Sequence, residues 1–180
     1  GSYVGGIAGL SSAGIRSSWA KLTLSGKSSV GGIVGSGSED TSSSAGSGCT
    51  VTDCRSLVVV EDCDQFSGAI SGRDLGVFRG NYFVSDVLRG IDRRSLSGQA
   101  EPMDYAAFCA LGSVPEDFLS FTLRFVCDGR TLKTLRFDYG DSFDFSVFPS
   151  LTEQSGSYPV WDRTDLTDLR FDTVVTAEYT

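Results

Sequence analysis

The chain has 180 residues and no histidine. Chemistry must therefore be sought among its carboxylates, thiols and aromatic rings. Without an imidazole there is no base for a Ser-His-Asp or Cys-His nucleophile. Lys21, Lys27 and Lys133, the only lysines, stand among polar residues of exposed character. The densest acidic cluster is Glu61-Asp62-Cys63-Asp64. In an extended strand Asp62 and Asp64 share one face, as the paired acids of glycan cleavage do. The plainer reading of the cluster is a solvated strand edge, and a weak calcium site is a third. A second acidic series, Asp162, Asp165, Asp168 and Asp172, lacks the Asp-x-Asp-x-Asp-Gly loop of a calcium site and reads as turn-forming. Trp19 and Tyr82, with Tyr3, offer rings either for stacking on a sugar or for packing at a corner. The candidate ligand-binding residues are therefore Trp19, Tyr82, Asp62 and Asp64. No catalytic residue, metal site or cofactor is assigned.

These residues lie in a chain organised by repetition. Val4-Gly5-Gly6-Ile7-Ala8-Gly9 returns as Val30-Gly31-Gly32-Ile33-Val34-Gly35, 26 positions later, and a blurred third copy runs from Phe66 to Gly72. A period of this length marks an array whose units bury their apolar faces only by stacking. Ile15, Val51 and Phe78 align as a second shared element, nine, 19 and ten positions after Gly6, Gly32 and Gly68. The middle unit thus carries an insertion, the Ser/Gly-rich run 36–46, which reads as a flexible surface loop. In the third copy this alignment puts Ser67 where a glycine belongs. Glycine suits a stacked coil because corners need either a left-handed backbone or close backbone approach.

Pro102 and Gly112 bracket Met103–Leu111, which predicts a short helix over 102–111 packed against the end of the stack. From Phe118 the texture changes, and eight of the twelve phenylalanines fall there. Phe121, Leu123, Phe125 and Cys127 alternate with polar residues, and Asp128-Gly129 is a hairpin signal. Matching the apolar faces pairs Phe121 with Phe137 and Leu123 with Leu135, through a three-residue loop or a bulge. Tyr158, Val160 and Trp161 read as a short strand, and Phe171 to Tyr179 as the last. The expected division is 1–94, a linker at 95–117, and 118–180.

The net charge is −8, split evenly between the halves, so neither offers a basic face for nucleic acid. No apolar run approaches the roughly eighteen residues that span a bilayer. The five cysteines are odd in number and lack zinc spacing, so they read mainly as small buried apolar residues, with one bridge among Cys49, Cys54 and Cys63 the alternative. Because it opens Gly-Ser without a methionine, the chain is expected to be a piece of something longer. A monomer is expected.

Residues 3–92, with the Val-Gly-Gly-Ile-Val-Gly core at 30–35, resemble the bacterial GLUG repeat. Residues 119–180 resemble an internalin-type B repeat (the Listeria–Bacteroides repeat). The matching residues include Phe125-Val126-Cys127-Asp128-Gly129, Asp138-Tyr139-Gly140-Asp141-Ser142, Gly156-Ser157-Tyr158, Trp161-Asp162 and Val175-Thr176-Ala177-Glu178-Tyr179. Pro159 departs from the pattern, where such repeats carry glycine. Together the resemblances imply an all-β chain: a short Gly-cornered β-solenoid with a capping helix, then a β-grasp-like domain. They also imply a secreted or cell-surface location and a non-catalytic adhesion or spacer role, with a host glycan or extracellular protein as partner. The alternatives are an accessory region of a secreted protease or glycan-degrading enzyme, and a solenoid enzyme working through Asp62 and Asp64.

Overall fold

A computed structural model of the chain describes residues 1–38, 48–153 and 156–179. The insertion expected at 36–46 falls from residue 39 onward outside the described residues. The chain is all-β, with one five-residue α-helix among the described residues, and divides into two compact units, Gly1–Ser113 and Val114–Thr180.

The first unit contains β1 (Tyr3–Gly5), β2 (Ala8–Ser11), β3 (Gly14–Arg16), β4 (Trp19–Gly26), β5 (Ser29–Gly31), β6 (Val34–Gly37), β7 (Thr50–Thr52), β8 (Arg55–Cys63), β9 (Phe66–Gly68), β10 (Val77–Arg79), β11 (Asn81–Phe83), β12 (Ala100–Pro102) and α1 (Tyr105–Cys109). Every pairing between these strands is parallel. Val4 lies beside Val30, Gly5 beside Gly31 and Ala8 beside Val34, so the two glycine runs sit one over the other. Ile15, Val51 and Phe78 form a second column, buried in the core with Ile33, Ile70, Val34 and Val58. Each layer feeds the next through like bonds: Ile7 N–H donates to Ile33 O at 3.0 Å, and Ile33 N–H to Ile70 O at 2.9 Å.

The third copy enters one residue away from its expected alignment. Gly68 pairs with Gly31, and Ile70 N–H takes the place that Ile33 N–H holds one layer earlier, so Ala69 and not Ser67 replaces a glycine. The physical cause is a β-bulge: Leu24 pairs with Val60 but Ser25 with Asp62, leaving Glu61 as an extra residue in β8.

The glycines of the runs answer a packing demand. A Cβ on Gly5, Gly31 or Gly68 would collide with the carbonyl oxygen three residues ahead, on Ala8, Val34 and Ser71 respectively. The left-handed corners lie elsewhere, at Ser17 (φ 48°), Asp53 (φ 53°) and Gly80 (φ 62°), each two residues past the Ile15, Val51 and Phe78 column. Ser and Asp there bear a backbone cost that Gly80 avoids.

Residues 89–100 cover the third layer. Ala69 N–H donates to Arg89 O, Ile70 N–H to Gly90 O, and Ile91 is fully buried. The helix is shorter than expected and does not cap that end. Pro102 belongs to β12, and α1 begins after Asp104, whose carboxylate caps it by accepting from Ala107 N–H at 2.8 Å. Fully buried Phe108 meets the ring of Trp19 edge-on at 5.4 Å. Trp19 is in β4, at the opposite edge of the sheet β12-β11-β8-β4, so α1 lies along the side of the stack.

The second unit contains β13 (Phe121–Cys127), β14 (Arg130–Phe137), β15 (Asp141–Phe143), β16 (Pro159–Trp161), β17 (Leu166–Leu169) and β18 (Thr173–Tyr179). Four of these form a sheet in the order β14-β13-β18-β16, with β13 and β18 parallel at its centre. Phe121 pairs with Phe137 and Leu123 with Leu135; a two-residue turn, Asp128-Gly129, achieves this because a bulge near Phe125/Val126 absorbs the extra residue. Phe125, Phe148 and Trp161 form an aromatic cluster with ring centroids 5.0–5.7 Å apart.

Candidate functional site

Parallel pairing turns positions that are far apart in sequence into rows across a sheet. Trp19 lies opposite Arg55, Arg55 opposite Tyr82, and Tyr82 opposite Glu101. Their neighbours Ala20, Cys54, Phe83 and Ala100 belong to the core. Alternation therefore turns Trp19, Arg55, Tyr82 and Glu101 to the other side, where all four are half-buried. With strands about 4.8 Å apart, Trp19 and Tyr82 stand roughly 10 Å apart along the row.

Arg55 joins the two rings. Its guanidinium lies over the Tyr82 ring, 4.8 Å from the centroid, and Nη1 donates to Cys54 O at 2.9 Å and Gly80 O at 2.8 Å. It thereby braces the left-handed corner at Gly80. Among the described residues its Nε and Nη2 have no hydrogen-bond partner, so part of a planar donor fork stays available. At the far end of the row Glu101 Oε1 accepts from Gly98 N–H at 2.6 Å. The row thus combines two aromatic faces with a guanidinium between them, groups that stack on a sugar ring and donate to its oxygens.

The structure brings Trp19 and Tyr82 into one row but places Asp62 and Asp64 apart from it. Asp62 is seven residues along β8 from Arg55, about 20 Å away. The strand ends at Cys63, so Asp64 lies in the following bend and the expected strand alternation does not relate it to Asp62. Both are exposed, without the apolar enclosure that suits a general acid. Tyr3 is in β1, outside the row. Sequence reasoning missed Arg55, although the repeat alignment carried the signal: Trp19, Arg55 and Tyr82 each stand four residues past Ile15, Val51 and Phe78.

The acidic series of the second unit serves its own turns and edges. Asp162 Oδ1 accepts from Thr176 N–H at 2.9 Å, and Asp172 Oδ1 from Thr122 N–H at 2.7 Å. The hydroxyl and N–H of Thr167 hold the Asp165 carboxyl below the usual carboxylate range. Asp168, itself left-handed, pairs with Arg170 at 2.8 Å. Among the described residues no three His, Cys, Asp or Glu side chains gather as a metal site. A groove of about 440 Å³ near Cys127, Arg130 and Tyr179 includes none of the expected site residues.

All five cysteines are free, so no bridge joins Cys49, Cys54 and Cys63. Burial pushes the thiols of Cys49 and Cys54 upward, further from the reactive thiolate. At neutral pH a soluble disulfide reagent should therefore modify half-buried Cys63 and Cys109 first. Cys49, Cys54 and Cys127 should follow only on unfolding; rapid release from all five would refute the packing described here.

No protein-family model matches the chain, and neither a curated protein nor a solved structure matches it.

Proposed function

We propose that the chain is a non-catalytic adhesion or spacer segment of a bacterial cell-surface protein, and that the Trp19–Arg55–Tyr82 row is its contact strip for a host glycan or extracellular protein. In this reading the first unit is a short GLUG-type β-solenoid and the second a β-grasp-like B repeat. The layered register of Val4 on Val30 and Ile15 on Val51 supports the former. The order β14-β13-β18-β16, with its parallel central pair, supports the latter. The observation that carries the functional reading is the row itself. Stacking of equivalent positions sets two aromatic residues and an arginine side by side on one face. Such a strip recognises by ring stacking and donated hydrogen bonds, and needs no bond-breaking group.

A glycan and extracellular-protein array probed with the full chain tests the proposal. Trp19→Ala and Tyr82→Ala should each weaken a positive signal by about tenfold or more, taking the roughly 1–3 kcal/mol that base stacking on one aromatic ring is worth as the scale. Asp62→Asn should leave the signal unaltered. A ligand whose affinity ignores both ring substitutions would remove the row as the contact strip. An array with no positive signal would leave only the spacer role.

A further inference from the structure

The two ends of the first unit are finished differently. Residues 89–100 close the far end, whereas β1, β2, β3 and β4 are all edge strands on the near side. Equivalent residues in successive layers show what this leaves open. Tyr3, Ile7 and Leu10 are 45%, 49% and 54% exposed, while their counterparts one layer inward, Ser29, Ile33 and Ser36, are 0%, 0% and 1% exposed. The difference is the presence of a covering layer.

Exposed strand edges are ordinarily guarded by charges, proline or bulges. Residues 1–26 contain no proline and only two charged side chains, Arg16 at the end of β3 and Lys21 in β4, and the paired registers of β1, β2 and β3 show no bulge. We propose that this edge is a docking surface for one further parallel layer of the same glycine-cornered type. The internal layers supply the template: β1 seats on β5, β2 on β6, β3 on β7 and β4 on β8, four parallel registers at once. They also set the chemistry of the occupant. A Cβ on Gly5 would come within 2.7 Å of Gly35 N in the layer beneath, so the docking layer needs glycine at that position. A head-to-head second copy would present antiparallel edges, for which the strand pairs β1–β12 of the first unit, all parallel, hold no template.

The test extends the full chain at its N-terminus with a second copy of residues 1–26, matching the 26-residue period. Amide exchange in β1–β4 should slow at least about tenfold, and the unfolding midpoint should rise by about 5 °C or more. The same extension with Gly5→Val and Gly6→Val in the added copy should give neither change. An extension that leaves exchange and midpoint unaltered overturns the proposal. So does self-association of the parent chain at micromolar concentration that Ile7→Lys and Leu10→Lys abolish, because the occupant would then be a second copy.

Discussion

Replacing Gly31 by alanine should unfold the first unit while sparing the second. The added methyl would run into the Val34 carbonyl and come within 2.6 Å of Gly72 N and 2.8 Å of Ser71 Cα. All three are backbone atoms, so no side chain can swing aside, and relief requires moving one layer off another. Overpacking of this kind belongs to the extreme tail of single substitutions, about 4 kcal/mol or more. Gly98→Ala is the control. That site is open, but its φ of +73° should still cost about 1 kcal/mol. The two tryptophans fall one in each unit, so a Trp161→Phe background lets Trp19 report urea unfolding of the first alone. Equal midpoints for Gly31→Ala and Gly98→Ala would mean that the layers are not packed as tightly as described.

Asn81→Ala should be the second severe change. Asn81 is buried, and its side chain holds three backbone groups from different segments, on Cys54, Val51 and Gln99. Oδ1 accepts from Cys54 N–H at 2.9 Å, and Nδ2 donates to Val51 O and Gln99 O, each at 2.9 Å. Alanine orphans the Cys54 N–H and takes a donor from Val51 O and from Gln99 O, which keeps the Asn81 N–H at 3.2 Å. The orphaned donor costs about 1–3 kcal/mol and each lost bond about 0.5–1.5 kcal/mol, so a loss of roughly 3 kcal/mol follows. Asn81→Asp keeps the acceptor but removes both donations and buries a charge, so it should not rescue stability. Full stability in either variant, read by the same urea titration, would show that water replaces the amide.

Much of this architecture is written in residue spacing. The 26-residue period places β1 on β5, and aligning Ile15, Val51 and Phe78 puts them in one core column. The match of apolar faces sets Phe121 against Phe137. What escapes is whatever leaves no compositional trace. Glu61 is a single extra residue inside an unbroken strand, yet it displaces the whole third copy by one position. The reason for the glycines is hidden too, because close backbone approach and a left-handed φ select the same residue. Only the fold separates them, giving the first to Gly31 and the second to Gly80. For the candidate strip, ring type pointed to Trp19 and Tyr82, whereas Arg55 looks like any surface cation until parallel pairing sets it between them.

The Trp19–Phe108 contact bears on how the molecule would behave under tension. By Phe108 the polypeptide has returned to the layer it built first, whereas Gly1 lies against the other end of β4, where Lys27 N–H donates to Gly1 O at 3.0 Å. Trp19 and Gly26 stand seven residues apart in that strand, about 23 Å. A pull between Gly1 and Phe108 therefore runs along β4, at right angles to the hydrogen bonds that join it to β8. The bonds of that seam share such a load instead of opening one after another.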